Sequence, residues 1–199
     1  MYDKVIDSTK AVQLIGDGDI VGINGFVGFG HPEELSIMLE KRFLETNHPQ
    51  NLTLIYGAGQ GDGKTSFGLN HYAHERMIKR VICGHIGLAP RLASLIADNK
   101  IEGYNFPQGV VTHYFRAIAG KKIGVLTHVG LKTFADPRVE GCKMNNITSE
   151  DLVELIEINE KECLLYKYMP VNVALIRGTT ADEFGNITME KEATLLETL

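Results

Sequence analysis

The chain has 199 residues, a net charge of −5, and 44% hydrophobic and 23% charged residues, a composition that supports one sizeable soluble core. The acidic balance leaves no basic field to gather phosphates, which excludes a general nucleic-acid or membrane-surface binder. Cys83, Cys142 and Cys163 are odd in number, far apart and form no C-x-x-C, so neither a disulfide framework nor a thiolate metal site is expected. The polar start "MYDKVIDSTK" lacks a secretory apolar region and no apolar run reaches a membrane span, so a cytoplasmic protein is expected.

In chain order, Ser8 or Thr9 is expected to cap a short helix through Ile15, with Ala11, Val12, Leu14 and Ile15 on its apolar side. The turn "GDGD" leads into a buried-looking strand, "IVGINGF". Pro32 opens the next helix, with Glu33 and Glu34 in its first turn. Leu35, Met38, Leu39, Arg42 and Phe43 follow at helical spacing, Arg42 being the one polar member. "LTLIYGAG", "RVICGHI" and "IEGYNFP" read as three further strands, with helical patterns in "HYAHERMIKR" and "APRLASLIADN" between them and a helix from about Gly109 to Ala119. Beyond Gly141, "DLVELIEINEKECLLYKY" alternates and turns around Asn159 to Lys161 as a hairpin does. "VNVALIRGTTAD" then reads as a β-branched strand, and "EFGN" as a turn before "ITMEKE". Strands alternating with helices over the first two thirds predict parallel β-α-β units. The fold expected is α/β, an open and largely parallel sheet flanked by helices with a β-rich C-terminal portion, in one domain over residues 1–199. The last stretch, "MEKEATLLETL", starts a strand-to-helix passage and stops without a cap, as a cut chain does.

Several motifs offer chemistry. "AGQGDGKT", from Ala58 to Thr65, is one residue away from the G-x-x-x-x-G-K-[ST] phosphate loop, with Ala58 in place of the first glycine. Asp62 puts a carboxylate where phosphate oxygens would lie, and no later strand ends in an aspartate for magnesium, Asp182 lying beyond its strand. A nucleotidase built on Lys64 and Thr65 is thus the alternative reading, and a glycine-rich strand-to-helix loop the favoured one. His71 and His74 share a helical face and, with Glu75, could meet a metal, but two histidines do not close a zinc site and no metal is expected. Ser36, Ser66, Ser94 and Ser149 lack a G-x-S-x-G elbow. "GFVGFGHP" runs Gly25-x-x-Gly28-x-Gly30, the reverse of a dinucleotide fingerprint. Gly22, Gly25, Gly28 and Gly30 nonetheless let backbone approach a ligand, and the helix starting at Pro32 directs free N–H groups there, which suits an anion or developing oxyanion. "NFPQGVV" repeats the arrangement, with Gly109 opening a helix and Gln108 offering an amide donor and acceptor. Both loops are expected at the carboxyl ends of neighbouring strands.

At these residues the chain resembles the N-terminal (alpha) half of a family I CoA-transferase. "GINGFVGFGHPEEL" matches the family's glycine-rich signature, and "QNLTLIYGAG", "KRVICGHIG", "EGYNFPQGV" and "VALIRGTTADEFGNITMEKEA" match later segments in order, so the resemblance covers nearly the whole chain. "GQGDGKTSFGLNHYAHERMIKRVICGHIGLAPRL" is most similar to the propionate and acetate CoA-transferases that carry both halves on one chain. The resemblance implies transfer of coenzyme A, as substrate and not as a resident cofactor, between a short-chain acyl-CoA and a carboxylate such as acetate. It implies a glutamate nucleophile, an acyl anhydride and a glutamyl-CoA thioester. That glutamate belongs to an E-x-G motif of the C-terminal (beta) half, in the same or a partner chain. Glu183-Phe184-Gly185 has the form but matches the turn of the N-terminal half, so no residue here is that nucleophile. A non-catalytic ligand-binding module stands as a further alternative for the chain by itself. Carried over residue by residue, Asn24, Gly25, Phe26, Val27, Gly28 and Gly30 resemble one wall of the acyl pocket, and Gln108 and Gly109 match the family's P-Q-G near the catalytic glutamate. Phe26 and Phe29 are open to two readings, pocket lining or core, with Phe26 the better lining candidate. Apolar surface left by the missing half implies self-association or binding of that half.

Overall fold

Both sides of the strand runs are apolar, and the fold buries both. The computed structural model describes residues 4–193. Its main sheet contains β1 (Ile20–Ile23), β2 (Leu52–Tyr56), β3 (Ile78–Cys83), β4 (Glu102–Asn105) and β8 (Val173–Leu175), all parallel, in the order β4-β3-β2-β1-β8. Alternate residues face opposite layers. Val21, Ile23, Leu52, Leu54, Tyr56, Val81 and Cys83 pack with Leu39 and Phe43 of α2 (Glu33–Thr46) and Leu92 and Ile96 of α3 (Pro90–Ala97). Ile55, Ile82 and Tyr104 pack with Val110, Val111 and Tyr114 of α4 (Gln108–Ala119). That second core also takes Leu164 and Tyr166 from an antiparallel sheet of β5 (Gly124–Thr127), β6 (Val153–Ile158) and β7 (Lys161–Lys167), ordered β5-β7-β6. Phe106 is its hub, edge-on to Tyr166 at 5.1 Å and to Tyr114 at 6.3 Å between ring centroids. The expected α/β sheet and β-rich C-terminal portion are both present. Among the described residues no helix is long and apolar enough to cross a membrane.

Local chemistry explains where the elements depart from expectation. The first helix, α1 (Ser8–Val12), is capped by Asp7, whose carboxylate accepts the Lys10 N–H at 2.8 Å; Ser8 and Thr9 are not the cap, and the Ser8 hydroxyl reaches Glu34 instead. The expected helix over "HYAHERMIKR" is a short 3-10 helix, Gly68–Tyr72, and β3 begins at Ile78. Asn70 is the reason, because its amide donates to the Lys64 and Phe67 carbonyls and accepts the Arg91 N–H, competing with helical backbone bonds. The hairpin of β6 and β7 turns where expected, with Asn159 and Glu160 both at positive φ, 50° and 63°. The run "VNVALIRGTTAD" is not one strand: β8 stops at Leu175, and Thr180–Ala181 forms β9, paired antiparallel with β10 (Ile187–Thr188). The final residues of "MEKEATLLETL", 194–199, lie outside the described residues.

Polar side chains tie the helical layer together. Arg42, the polar member of the α2 stripe, donates to the carbonyls of Val12 and Ile15 at the end of α1, the latter at 2.8 Å. Glu40 of α2 lies 2.5 Å from His71 Nδ1 and 2.7 Å from His74 Nε2, so the two histidines share a carboxylate on a facing element, while Glu75 pairs with Lys100 at 3.5 Å. Burial alone would raise the Glu40 carboxyl; the hydrogen bonds from His71 and His74 outweigh it and hold it below its ordinary value.

Two outcomes follow from these contacts. Replacing Arg42 by methionine keeps the buried stem but leaves the Val12 and Ile15 carbonyls without their donor, at a cost of about 2 kcal/mol in urea unfolding. Glu40, with a folded-state value below the ordinary 4.5, contributes fully above that pH and progressively less as pH falls through the folded value. The stability gap between wild type and Glu40→Gln is therefore widest near neutrality and narrows below pH 4.5, measured by urea titrations across that range.

Candidate active site at the carboxyl ends of the parallel strands

The winding of the sheet reverses beside β1: the chain steps outward through β2, β3 and β4, then returns to place β8 on the other side of β1. Open α/β sheets bind ligands at the carboxyl end of such a switch point. The residues leaving β1 there are Asn24 to Gly30. The Asn24 backbone N–H donates to the Leu175 carbonyl at 3.1 Å, closing the junction with β8. The residue is 4% exposed, and neither amide atom has a hydrogen-bond partner among the described residues. It borders a cavity of about 180 Å³ lined by Gly22, Phe115, Val171, Ala174 and Ile176. A buried amide with both functions unused is uncommon and offers a donor and an acceptor together.

Phe26 and Phe29 exchange backbone hydrogen bonds at 2.9 and 2.8 Å, so Val27 and Gly28 form the tip of a two-residue turn. Val27 has φ +56°, a conformation glycine usually supplies at that position and one in which a β-branched residue is strained. Its N–H donates to Gly59 at 2.7 Å and its carbonyl accepts from Gly61 at 2.9 Å, zipping the turn to the loop after β2. Phe26 and Phe29 are 49% and 63% exposed, which corrects the core reading for both: they project from the turn and are held by its backbone, not by the interior.

Beneath the turn lies a set of buried polar side chains. Gln60 donates to the Ile23 carbonyl at 3.0 Å and lies 2.6 Å from His31 Nδ1; His31 Nε2 is 2.9 Å from Ser36 Oγ, and Ser36 Oγ is 3.0 Å from the Tyr72 hydroxyl. Each of the four is fully buried. The Ser36–His31–Gln60 spacing resembles a serine–histidine–acid triad, but a serine without exposure cannot attack a substrate. Burial holds the His31 imidazole below its ordinary value, so it is neutral. Gly25 is required above this set, because a Cβ there would stand 2.5 Å from Gln60 Oε1. Motif scanning passes over Gln60, His31 and Tyr72; the available signal is a glutamine amid glycines in "GAGQG" and a histidine directly before Pro32.

The second site segment sits at the carboxyl end of the sheet but not beside β1, since β2 and β3 intervene between β1 and β4. The return into α4 recovers part of that distance: a Cβ on Gly84, just after β3, would lie 2.9 Å from the Gln108 Cβ. Gln108 is half-buried at the first position of α4, whose N-cap, Pro107, makes no side-chain capping bond and whose first turn has no acidic residue. A Cβ on Gly109 would meet nothing within 4 Å. The start of α2 differs, because its first turn holds Glu33 and Glu34 and Glu33 already accepts from Gly68 N–H and lies 3.0 Å from His71 Nε2. The positive end of α4, not that of α2, is thus the one left for an incoming negative charge.

The "GAGQGDGKT" loop does not have the geometry of a nucleotide clamp. The Asp62 carboxylate accepts the Lys64 N–H at 2.9 Å, residues 62–66 are exposed, and only a 3-10 turn follows. Glu183 likewise lies in the turn between β9 and β10, where Asp182 accepts the N–H groups of Phe184 and Asn186 at 3.0 and 2.8 Å.

Known proteins match this arrangement along nearly its whole length. The chain is 44% identical over 196 residues to a caffeate CoA-transferase of Acetobacterium woodii, and 38% identical over 197 residues to the acetate CoA-transferase YdiF of Escherichia coli K12. Each alignment takes in 98% of this chain but 37% of the relative, so the chain spans little more than a third of these proteins. The alpha subunit of an acetoacetyl-CoA:acetate/butyrate CoA transferase from Clostridium acetobutylicum is 29% identical and 75% covered. The crystal structure of YdiF from E. coli O157:H7 superposes with a TM-score of 0.91 over 94% of this chain and 36% of that one, and a thioester complex of that protein with CoA superposes equally well. The sequence profile described as Coenzyme A transferase matches residues 5–199, and the chain belongs to that family.

Proposed function

We propose that the protein containing this chain moves coenzyme A from a short-chain acyl-CoA to a carboxylic acid such as acetate, and that residues 1–199 form the N-terminal wall of its active site. The observation that carries this reading is the shared placement of the Asn24–Gly30 loop and the uncapped Gln108 helix start at the carboxyl end of one parallel sheet. The YdiF relative, which has a CoA thioester structure, supports it.

The chemistry we assign begins with a glutamate of the other half. Its carboxylate oxygen attacks the thioester carbonyl, and the C–S bond breaks to release CoA thiolate and leave an acyl anhydride. The thiolate then attacks the glutamyl carbonyl, freeing the acyl group as a carboxylate and leaving a glutamyl-CoA thioester. The acceptor carboxylate reverses these steps, with no water, metal or ATP consumed. Each addition puts negative charge on a carbonyl oxygen. The Gln108 amide and the free N–H groups at the start of α4 are the donors this chain brings to that charge. The free Asn24 amide and the exposed Phe26 and Phe29 give the substrate one polar and two apolar contacts. Gly25, Val27, Gly28, Gly30 and Gly109 contribute backbone shape. The remaining half, in the same chain or a partner, completes the site, and the enzyme works as an oligomer in the cytoplasm, with coenzyme A as substrate and no resident cofactor.

The test supplies the complete natural protein with a short acyl-CoA and isotope-labelled acetate, and follows label into acetyl-CoA without ATP. Residues 1–199 alone give no transfer, and transfer appears when the other half is present. Gln108→Ala in the complete protein lowers kcat by about 10²-fold, the scale of losing one oxyanion donor, and leaves the unfolding midpoint close to wild type. Wild-type turnover in that variant removes Gln108 from the site.

A further inference from the structure

The four buried polar side chains behind the glycine loop form a hydrogen-bond chain with one direction. Gln60 uses its Nε2 on the Ile23 carbonyl, so its Oε1 must accept, and His31 Nδ1 is the donor. Neutral His31 then presents Nε2 as an acceptor to the Ser36 hydroxyl at 2.9 Å, nearer than that hydroxyl's other acceptor, the Pro32 carbonyl at 3.3 Å. The Ser36 oxygen in turn accepts from the Tyr72 hydroxyl at 3.0 Å. Protons thus point in sequence from Tyr72 to Ser36, to His31, to Gln60 and to the last carbonyl of β1. The contacts come from four separate segments: His31 from the loop after β1, Ser36 from α2, Tyr72 from the 3-10 helix and Gln60 from the loop after β2. No link reaches solvent, so the set cannot exchange protons with a substrate.

Its endpoint is informative. Gln60 fills the space under Gly25, and the same short segment, Gly59 to Gly61, grips Val27 on both sides at its strained φ. Backbone strain of this kind persists where surrounding structure over-determines it. A Gln60 side chain free to change rotamer would release both the Gly25 contact and the segment that clamps Val27.

We propose that Gln60 and His31 are positioning residues for the Asn24–Gly30 loop, and that the Tyr72–Ser36–His31–Gln60 relay holds the Val27 turn in the shape the CoA-transfer site uses. The role in transfer rests on the function proposed above; the role in loop geometry does not.

Ser36→Ala is the informative variant, because alanine fits the helix and the middle link is lost, both the donor to His31 and the acceptor for Tyr72. Amide exchange, followed by mass spectrometry, and kinetics are both measured on the complete natural protein. The Val27 and Gly61 amides exchange at least ~10-fold faster than in wild type, while the β1 and β2 core amides of Val21 and Ile55 keep their protection. In the complete protein kcat falls about tenfold or more with KM held within about threefold, because a misplaced loop costs orientation and not ground-state binding. Tyr72→Phe, which removes only the outermost link, shifts both readouts the same way by less. Unchanged exchange at Val27 and Gly61, a loss of protection shared with the core amides, or faster loop exchange with wild-type kcat each overturns the proposal. A wild-type protein that fails to transfer CoA defeats the functional reading alone, and the exchange measurement still decides the relay.

Discussion

The carboxyl end of the parallel sheet depends on β1 being paired on both sides. Its partner β2 follows it closely in sequence, whereas β8 lies 150 residues downstream, with Gly22 opposite Ala174 and Ile23 opposite Leu175. A strand enclosed on both edges and both faces cannot shift register without turning its apolar set outward. Its last residue, Ile23, is therefore a fixed point from which the glycine loop departs. Gly22 matters for the same reason: a Cβ there would sit 3.1 Å from the Phe115 ring, so α4 packs close only because that position is bare.

Two of the helix starts at this end of the sheet, those of α2 and α4, have opposite electrostatic character. The start of α2 is filled by its own acids, with Glu33 facing His71 and the buried His31 lying 3.5 Å away. The start of α4 carries no such compensation. One helix end is therefore neutralised within the fold and the other is left without an acidic partner of its own. The cysteines add no reactive group to the interior, because burial pushes the Cys83 and Cys142 thiols up to about 12.

What the sequence disclosed follows the reach of local physics. Pro32 with Glu33 and Glu34, Pro90 at its helix start, and the alternating β6–β7 run are local signals, and the elements appear where those signals stand. The His71–His74 spacing misled because helical spacing was read from two residues, whereas Asn70 bonds backbone carbonyls and both histidines turn to Glu40, more than 30 positions away. "GVLT" is too short to announce β5, which exists through its pairing with β7. Phe26 and Phe29 were ambiguous because composition cannot tell a ring held by backbone at a turn from one held by a core. The glycine loop itself was visible as spacing. The side chains that hold it, Gln60, His31, Ser36 and Tyr72, come from positions spread over some forty residues, and only tertiary contact reveals them as a set.

The distance in sequence between β1 and β8 also has a consequence for synthesis. Asn172, next to β8, accepts the Ile20 N–H at the head of β1, across 152 residues. While the chain emerges, β1 to β4 can assemble in order, but one edge of β1 stays bare until residues 173–175 arrive. That edge is apolar and unpaired throughout the interval, the condition in which strands recruit the wrong neighbour. The N-terminal segment waits longer, because the Lys4 N–H is anchored on Glu183. Lys4 is thus fixed only after residues made some 180 positions later have arrived.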